Sequence, residues 1–293
     1  MSSVARRIKN SVKILIGKQI GSPVQKHIYK INALESELFI DKYVMVTGGT
    51  GAIGSAICFD LAAKGATVGV CGRNEEKIMA TINMIVSENP ALKERLIPIL
   101  MDVTNESSIL KAFQEWKDKG YNLDAFVNNA GGQPGRVGIG ARKLWEKELG
   151  QIDLMLTTNL RGLMVCSIEA AKIMTEQRYG TIINIGSVHG VGGMKGMTDY
   201  ATAKAGVIGF TRSFALELGE YGVRCNCVSP GLVNQTPFDG GSPELKSSRN
   251  VLGRNGYTRE VAQVVSYLIS DSYITGQNII VDGGRSLGLY GDS

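Results

Sequence analysis

From Lys42 onward, short runs rich in Val and Ile alternate with longer segments of helical period, and few folds accept such an alternation. Strands too apolar to alternate in and out are strands covered on both faces, and helices between them make parallel crossovers. The runs predict strands at Lys42 to Thr47, Thr67 to Cys71, Leu96 to Met101, Leu123 to Val127, Thr181 to Ile185, Arg224 to Val228 and Asn278 to Val281. Helices read most clearly at Gly51 to Lys64, Ser107 to Lys119, Leu160 to Gln177, Asp199 to Leu218 and Arg259 to Ile269. Seven strands fit one doubly wound α/β domain, a parallel seven-stranded sheet with right-handed crossovers and helices on both faces. The chain has 293 residues, 43% of them hydrophobic, enough for one such domain over residues 38–293. Gly131 to Gly140 and Thr236 to Gly256, both polar and Gly-rich, follow strands at the end where open α/β sheets bind ligands.

Residues 1–37 stand apart as a basic amphipathic extension. Positions 1–34 hold seven Lys or Arg and no acid, so the net charge of +5 leaves the rest of the chain slightly acidic, at −2. A nucleic-acid-binding surface would spread its basic residues over the folded body, so no nucleic-acid partner is expected. Val4, Ile8, Val12, Leu15, Ile16 and Ile20 recur at helical spacing, with Arg6, Arg7, Lys9, Lys13 and Lys18 on the remaining surface. Three roles fit such a helix: an arm on a neighbouring subunit, which ranks first, a peripheral contact of residues 1–34 with an anionic membrane, and a targeting peptide. No apolar run approaches the roughly 18 residues of a membrane span. The five cysteines are scattered and odd in number, which suits reduced buried thiols and a cytoplasmic location. Cys225 and Cys227 face one side of a strand, but zinc needs about four ligands and the only histidines are His27 and His189, so no metal is expected.

Between the first strand and the first helix lies Thr47-Gly48-Gly49-Thr50-Gly51-Ala52-Ile53-Gly54. In this position Gly48, Gly51 and Gly54 let the backbone turn tightly and approach a pyrophosphate, whose charge then sits at the positive end of the helix. Alone the pattern also fits an ordinary tight turn. In context it predicts a Rossmann-type dinucleotide site. The second strand ends Cys71-Gly72-Arg73-Asn74, without the acid that would bond a ribose 2′-hydroxyl. Arg73 offers a planar cation to a 2′-phosphate and Asn74 a short donor, so NADP(H) is expected over NAD(H); the competing reading of Arg73 is a solvated arginine at a helix start.

Further motifs stand in a fixed order: Asp102-Val103, Asn128-Asn129-Ala130-Gly131, Asn159, Ser187, Tyr200-x-x-x-Lys204, Pro230-Gly231 and Val281-Asp282-Gly283-Gly284. With the glycine loop, they make the chain resemble the short-chain dehydrogenase/reductase family over nearly its whole length after Leu38. The single-domain branch of that family, with its 3-oxoacyl carrier-protein reductases and sugar or polyol dehydrogenases, is the nearest in pattern. The resemblance implies a cofactor site of Gly48, Thr50, Gly51, Ile53, Gly54, Arg73, Asn74, Asp102, Val103, Asn129, Ala130, Gly131, Tyr200, Lys204, Pro230, Gly231, Val233 and Thr236. Asp102 and Val103 would frame the adenine, and Asn128 to Gly131 would hold the cofactor behind the fourth strand. Two positions depart from the pattern. Ala52 replaces a glycine usual in this branch, as is commoner in the extended branch acting on nucleotide sugars. The threonine usually found just beyond Pro-Gly is displaced to Thr236, after Asn234 and Gln235.

Tyr200 and Lys204, four apart on a helix, lie on one face one turn apart. A free phenol of pKa about 10 is a poor base at neutral pH, and a neighbouring ammonium favours its ionised form. That pair can move a proton to or from a carbonyl oxygen while a nicotinamide moves a hydride. Ser187, ending the fifth strand, can polarise the carbonyl. By resemblance, Asn159 completes the catalytic set by holding a water that links Lys204 to solvent; a helix cap or local break is its other reading. His189 is either a substrate contact or a loop histidine, and the lack of an evident partner acid favours the loop. The expected reaction is NADP(H)-dependent interconversion of a carbonyl and a secondary alcohol. The polar loops at 132–147, 188–198 and 236–252 favour a sugar-like keto compound, with Arg136, Arg142 and Lys195 as cations that could meet an anion. A 3-oxoacyl carrier-protein reductase is the alternative, and a nucleotide-binding scaffold without turnover ranks below both. Ala201, Val207, Phe210 and Phe214 on the helix of Tyr200 exceed what one sheet face needs, and the family pairs this helix with its copy, so a homodimer or homotetramer is expected.

Overall fold

A computed structural model describes residues 38–132, 142–234 and 250–287. The N-terminal amphipathic segment, Arg136, Thr236 and Phe238 lie outside the described residues. In chain order the elements are β1 (Tyr43–Val46), α1 (Ala52–Ala63), β2 (Thr67–Gly72), α2 (Glu75–Glu88), β3 (Leu96–Leu100), α3 (Glu106–Asp118), β4 (Ala125–Asn128), α4 (Leu149–Leu156), α5 (Gly162–Gln177), β5 (Gly180–Ile185), α6 (Val188–Gly192), α7 (Thr198–Leu218), β6 (Val223–Pro230), α8 (Thr258–Ser270) and β7 (Asn278–Val281).

The seven strands form one parallel sheet in the order β3-β2-β1-β4-β5-β6-β7, the doubly wound arrangement that the apolar runs predicted. Each face buries its own core. On one side α1, α2 and α8 contribute Ile57, Leu61, Ile78, Ile85, Val261 and Val265 to a cluster with Val44, Val46 and Val70. On the other, α3 and α5 set Trp116, Phe113 and Met174 against Met45, Phe126 and Ile182. Alternation of Met45 with Val44 and Val46 between the clusters shows the period-2 backbone feeding both faces at once. Helices α1 and α8 are joined by a buried group of Asp60, Lys64 and Ser266, with Lys64 Nζ 2.7 Å from Asp60 Oδ2.

The order reverses between β1 and β4, whose neighbours diverge to opposite edges, and this opens a crevice beyond their carboxyl ends. Several helices differ from the sequence expectation, α4 and α6 among them. Helix α2 was not among the clear helices; Asn74 caps it, its side chain accepting from Lys77 N, and Ile78, Thr81, Ile82 and Ile85 form its buried stripe. The helix expected from Leu160 begins instead at Gly162, behind a π-helical turn over Thr157–Arg161 that contains Asn159. Among the described residues, no helix is long and apolar enough to cross a membrane.

Candidate active site

The glycine loop is tied down from the far side of the crevice. Thr47 Oγ1 accepts from the backbone N–H of Asn129 and of Ala130, each at 3.0 Å, and Asn129 Nδ2 donates to the carbonyls of Thr47 (3.1 Å) and Gly48 (2.9 Å). Asn129 therefore acts first as the clasp of the loop. A Cβ at Gly54 would collide with the Gly48 carbonyl and come 2.7 Å from Asn129 Nδ2, so only glycine lets α1 start this close to the turn. Asn128 faces the interior: its Nδ2 donates to Ser167 Oγ (2.8 Å) and Asn184 Oδ1 (2.9 Å), and Asn184 passes a bond to Thr211 Oγ1. This chain ties β4 and β5 to α5 and α7, and it leaves Asn128 a structural residue.

A cleft of about 740 Å³ runs along the carboxyl ends of the strands. Its walls include Gly48, Thr50, Gly51, Ile53, Gly54, Arg73, Asp102, Val103, Asn129, Ala130 and Gly131 on one side and Ser187, Tyr200, Lys204, Pro230, Gly231 and Val233 on the other. A glycine-edged helix start, a guanidinium at the end of β2 and this volume fit a dinucleotide. Arg73 is exposed at the mouth, whereas Asn74 is absent from the wall because its side chain is spent capping α2. Asp102 accepts at Oδ1 from both the N–H and the hydroxyl of Thr104, which fixes its carboxylate beside Val103.

At the other end, α7 delivers Tyr200 and Lys204 from one face. Lys204 is 3% exposed, its Nζ donating to Ile185 O at 2.7 Å and lying 5.9 Å from the centroid of the Tyr200 ring. Burial pushes its ammonium down to about 8, against a weaker opposing pull from Cys227. Ser187 lies just beyond the end of β5 in extended backbone and caps α6, its Oγ accepting from His189 N at 3.2 Å. Asn159 is fully buried; its Oδ1 accepts from Gly132 N (2.8 Å) while its Nδ2 donates to Gly132 O (2.9 Å) and Met155 O (3.1 Å). The π turn rotates Asn159 inward, where a regular helix would place a different residue. A Cβ on Gly131, whose φ is +152°, would stand 2.7 Å from Asn159 Oδ1 and 3.4 Å from Lys204 Nζ, so asparagine and lysine flank this glycine.

His189 lies in α6 rather than a free loop, half-buried in the cleft wall with its ring 6.2 Å from that of Tyr200. Burial, and secondarily the charge of Arg285, hold its imidazole below the usual range. Arg142 and Lys195 are exposed and do not line the cleft; besides Lys204, the cation that does so at this end is Arg285, which the sequence reading passed over. Its place directly after Val281-Asp282-Gly283-Gly284 is the signal that could have found it. All five cysteines are buried and free, and burial raises their thiols, that of Cys166 to about 12.

Comparison with known proteins agrees with this architecture. The family described as enoyl-(acyl carrier protein) reductase matches residues 49–286. A 3-oxoacyl-[acyl-carrier-protein] reductase of Thermotoga maritima is 36% identical over 249 residues, covering 83% of this chain and 97% of the relative. Among solved structures, levodione reductase superposes with a TM-score of 0.76 at 29% identity, covering 85% of this chain and 99% of that one. A putative gluconate dehydrogenase from Agrobacterium tumefaciens gives 0.75 at 29%, covering 86% and 98%. With its doubly wound sheet, clasped glycine loop and Tyr-x-x-x-Lys helix facing one cleft, the chain belongs to the short-chain dehydrogenase/reductase family of oxidoreductases acting on CH–OH and C=O groups.

Proposed function

We propose that the protein is an NADPH-dependent carbonyl reductase, or the reverse alcohol dehydrogenase, in which Tyr200 is the acid/base. The observation that carries this is the meeting of Ser187, Tyr200 and Lys204 in the cleft that also contains the glycine loop. When bound, the nicotinamide supplies or takes up the hydride. The chain's own groups handle the proton. Tyr200 donates it to the carbonyl oxygen in reduction and takes it back in oxidation. Lys204, held by Ile185 O, favours the ionised phenol whenever it is itself charged. The Ser187 hydroxyl supports charge developing on the oxygen. Asn159, braced by Gly132 and Met155, takes the place that the family resemblance gives to the residue holding a water between Lys204 and solvent.

Arg73 at the end of β2 supports NADPH over NADH, since an acid would repel the 2′-phosphate. Ser187, His189, Tyr200, Lys204 and Arg285 bring polar groups to the catalytic end of the cleft among apolar residues such as Leu154, Met194 and Val233, and with the polar loops read from the sequence they favour a polar keto compound such as a sugar derivative. The 36% identity to a 3-oxoacyl-[acyl-carrier-protein] reductase supports an acyl thioester as the second reading. NADPH oxidation measured across keto sugars, 3-oxoacyl thioesters and small diketones separates the two. Turnover of none of them, with NADPH still bound, would overturn the reductase reading in favour of a scaffold.

A further inference from the structure

Gly190 sets α6 directly on the helix that carries the catalytic pair. A Cβ on it would stand 2.6 Å from the carbonyl carbon of Lys204 and 2.8 Å from Ala205 N, so only glycine lets the two helices approach this closely. The neighbouring His189 is held by its own backbone as well, its N–H donating to Ser187 Oγ (3.2 Å) and its carbonyl accepting from Gly193 N (2.9 Å). These contacts fix the half-buried imidazole in the cleft wall, its ring 6.2 Å from that of Tyr200 and at 75° to it. A side chain so close to the acid/base neighbours the substrate, whereas the cofactor's pyrophosphate belongs at the glycine loop.

The state of the ring follows from its surroundings. Burial first, and then the charge of Arg285, hold the imidazole below its usual range, so that at neutral pH it is mostly uncharged. Of its two nitrogens only Nδ1 is buried without a hydrogen-bond partner among the described residues. Folded chains leave buried carbonyls unpaired more often than buried N–H groups. By the same preference Nδ1 keeps the lone pair and the proton of the neutral ring sits on Nε2, which makes that nitrogen an uncharged donor.

We propose that His189 determines specificity by donating from Nε2 to a second oxygen of the substrate, on the carbon next to the reacting carbonyl or one beyond it, so that the enzyme acts on ketones with a neighbouring hydroxyl or carbonyl. The proposal rests on the reductase reading and names what sets its substrate apart from an isolated ketone. One oxygen must meet the phenol of Tyr200 while the other meets a ring in edge contact with it, and only a short separation along the substrate allows both. An uncharged donor suits an uncharged acceptor, whereas a carboxylate would be better met by the imidazolium that this site disfavours.

The test is titration of the NADPH-loaded Tyr200→Phe protein, followed by NMR of the ligand, with two pairs of ketones. Hydroxyacetone is set against butanone, and ethyl 3-oxobutanoate against heptan-2-one, which distinguishes a hydroxyl from a carbonyl as the second oxygen. At least one oxygenated ketone should bind roughly three- to tenfold more tightly than its partner, as one neutral hydrogen bond gives. Adding His189→Leu should bring that ratio close to one with NADPH affinity unchanged. His189→Gln, whose amide reaches the place of Nε2, should keep most of the ratio, and His189→Asn, which reaches only that of Nδ1, should lose it. No preference in either pair, a ratio unmoved by His189→Leu, equal ratios in the glutamine and asparagine variants, or a fall in NADPH affinity alongside the ratio overturns the proposal. Turnover is measured separately with wild-type protein. The preference without NADPH oxidation would overturn the reductase reading and leave the His189 contact standing.

Discussion

Lys147 Nζ and Asp199 Oδ1 lie 2.5 Å apart, with side chains only 8% and 2% exposed, one residue ahead of Tyr200. The pair pins the segment entering α4 to the first turn of α7. Removing one partner from such a buried pair leaves the other charge uncompensated, at about 3 to 5 kcal/mol. Lys147→Met should therefore lower unfolding stability by about that amount in urea titration. The double variant Lys147→Met with Asp199→Leu should recover most of it, because an apolar pair of similar volume needs no compensation.

Tyr200→Phe removes the phenolic hydroxyl and little else. Turnover should fall by about a hundredfold to ten thousandfold, with NADPH affinity within a few-fold of wild type. Steady-state NADPH oxidation and fluorescence titration of NADPH measure the two, and activity within about tenfold of wild type would take the acid/base role from Tyr200.

Lys204 makes stability depend on pH in a definite direction. Its ammonium has been pushed from 10.5 down to about 8 by burial. Between those values the unfolded chain keeps a proton that the folded chain has released, so stability rises with pH across this window. The slope is about 1.4 kcal/mol per pH unit, roughly 3 kcal/mol in all. Below about 8 both states are charged and the contribution is constant. Lys204→Met should abolish the rise in cofactor-free protein. A difference in unfolding free energy between wild type and variant that stays flat from pH 8 to 10.5 would show that burial does not govern this amine.

Arg73 is the measure of cofactor choice. A charge-assisted pair at the open mouth of the cleft is worth about 1.5 to 3 kcal/mol, so Arg73→Ala should weaken NADPH about ten- to a hundredfold and leave NADH nearly unchanged. Equal loss for both, or a wild-type protein that already prefers NADH, would refute the assignment.

Assembly is testable by mass. Ala201 and Val207, expected to face a partner, are buried within the subunit, Val207 in a cluster with Leu163, Ile208 and Cys227. Phe210 and Phe214, stacked 4.9 Å apart, remain half-buried, and Leu216 is 85% exposed. A homodimer or homotetramer is expected in light scattering, with Leu216→Glu shifting it toward monomer, and with deletion of residues 1–34 lowering oligomer stability. A wild-type monomer at micromolar concentration would refute the first expectation. Liposome binding by the full chain alone would give the N-terminal segment to a membrane surface.

The sheet was legible because its strands are buried on both faces, so β-branched runs such as Thr67–Gly72 stand out against any helical period. Tyr200 and Lys204 were legible because a four-residue spacing on a helix fixes a shared face. The π turn at Thr157–Arg161 was not, since one extra backbone residue leaves no compositional trace. Nor was Arg285 singled out, because an arginine after a turn reads as a solvated charge until the fold carries it inward. Asn74 shows the opposite case, a side chain read as a phosphate donor that the local backbone claims for a cap.

The clasp between Thr47 and Asn129 spans 82 residues. The nucleotide loop is thus finished by β4, three strands later in the chain, and β4 must dock beside β1 before the loop has a fixed shape. A growing or truncated chain that stops short of Asn129 would carry every glycine of the motif and still offer no formed pocket. Affinity for the dinucleotide should consequently arise in one step with the β1–β4 pairing, so that ligand-induced protection reports long-range closure of the sheet and is blind to the first βαβ unit on its own.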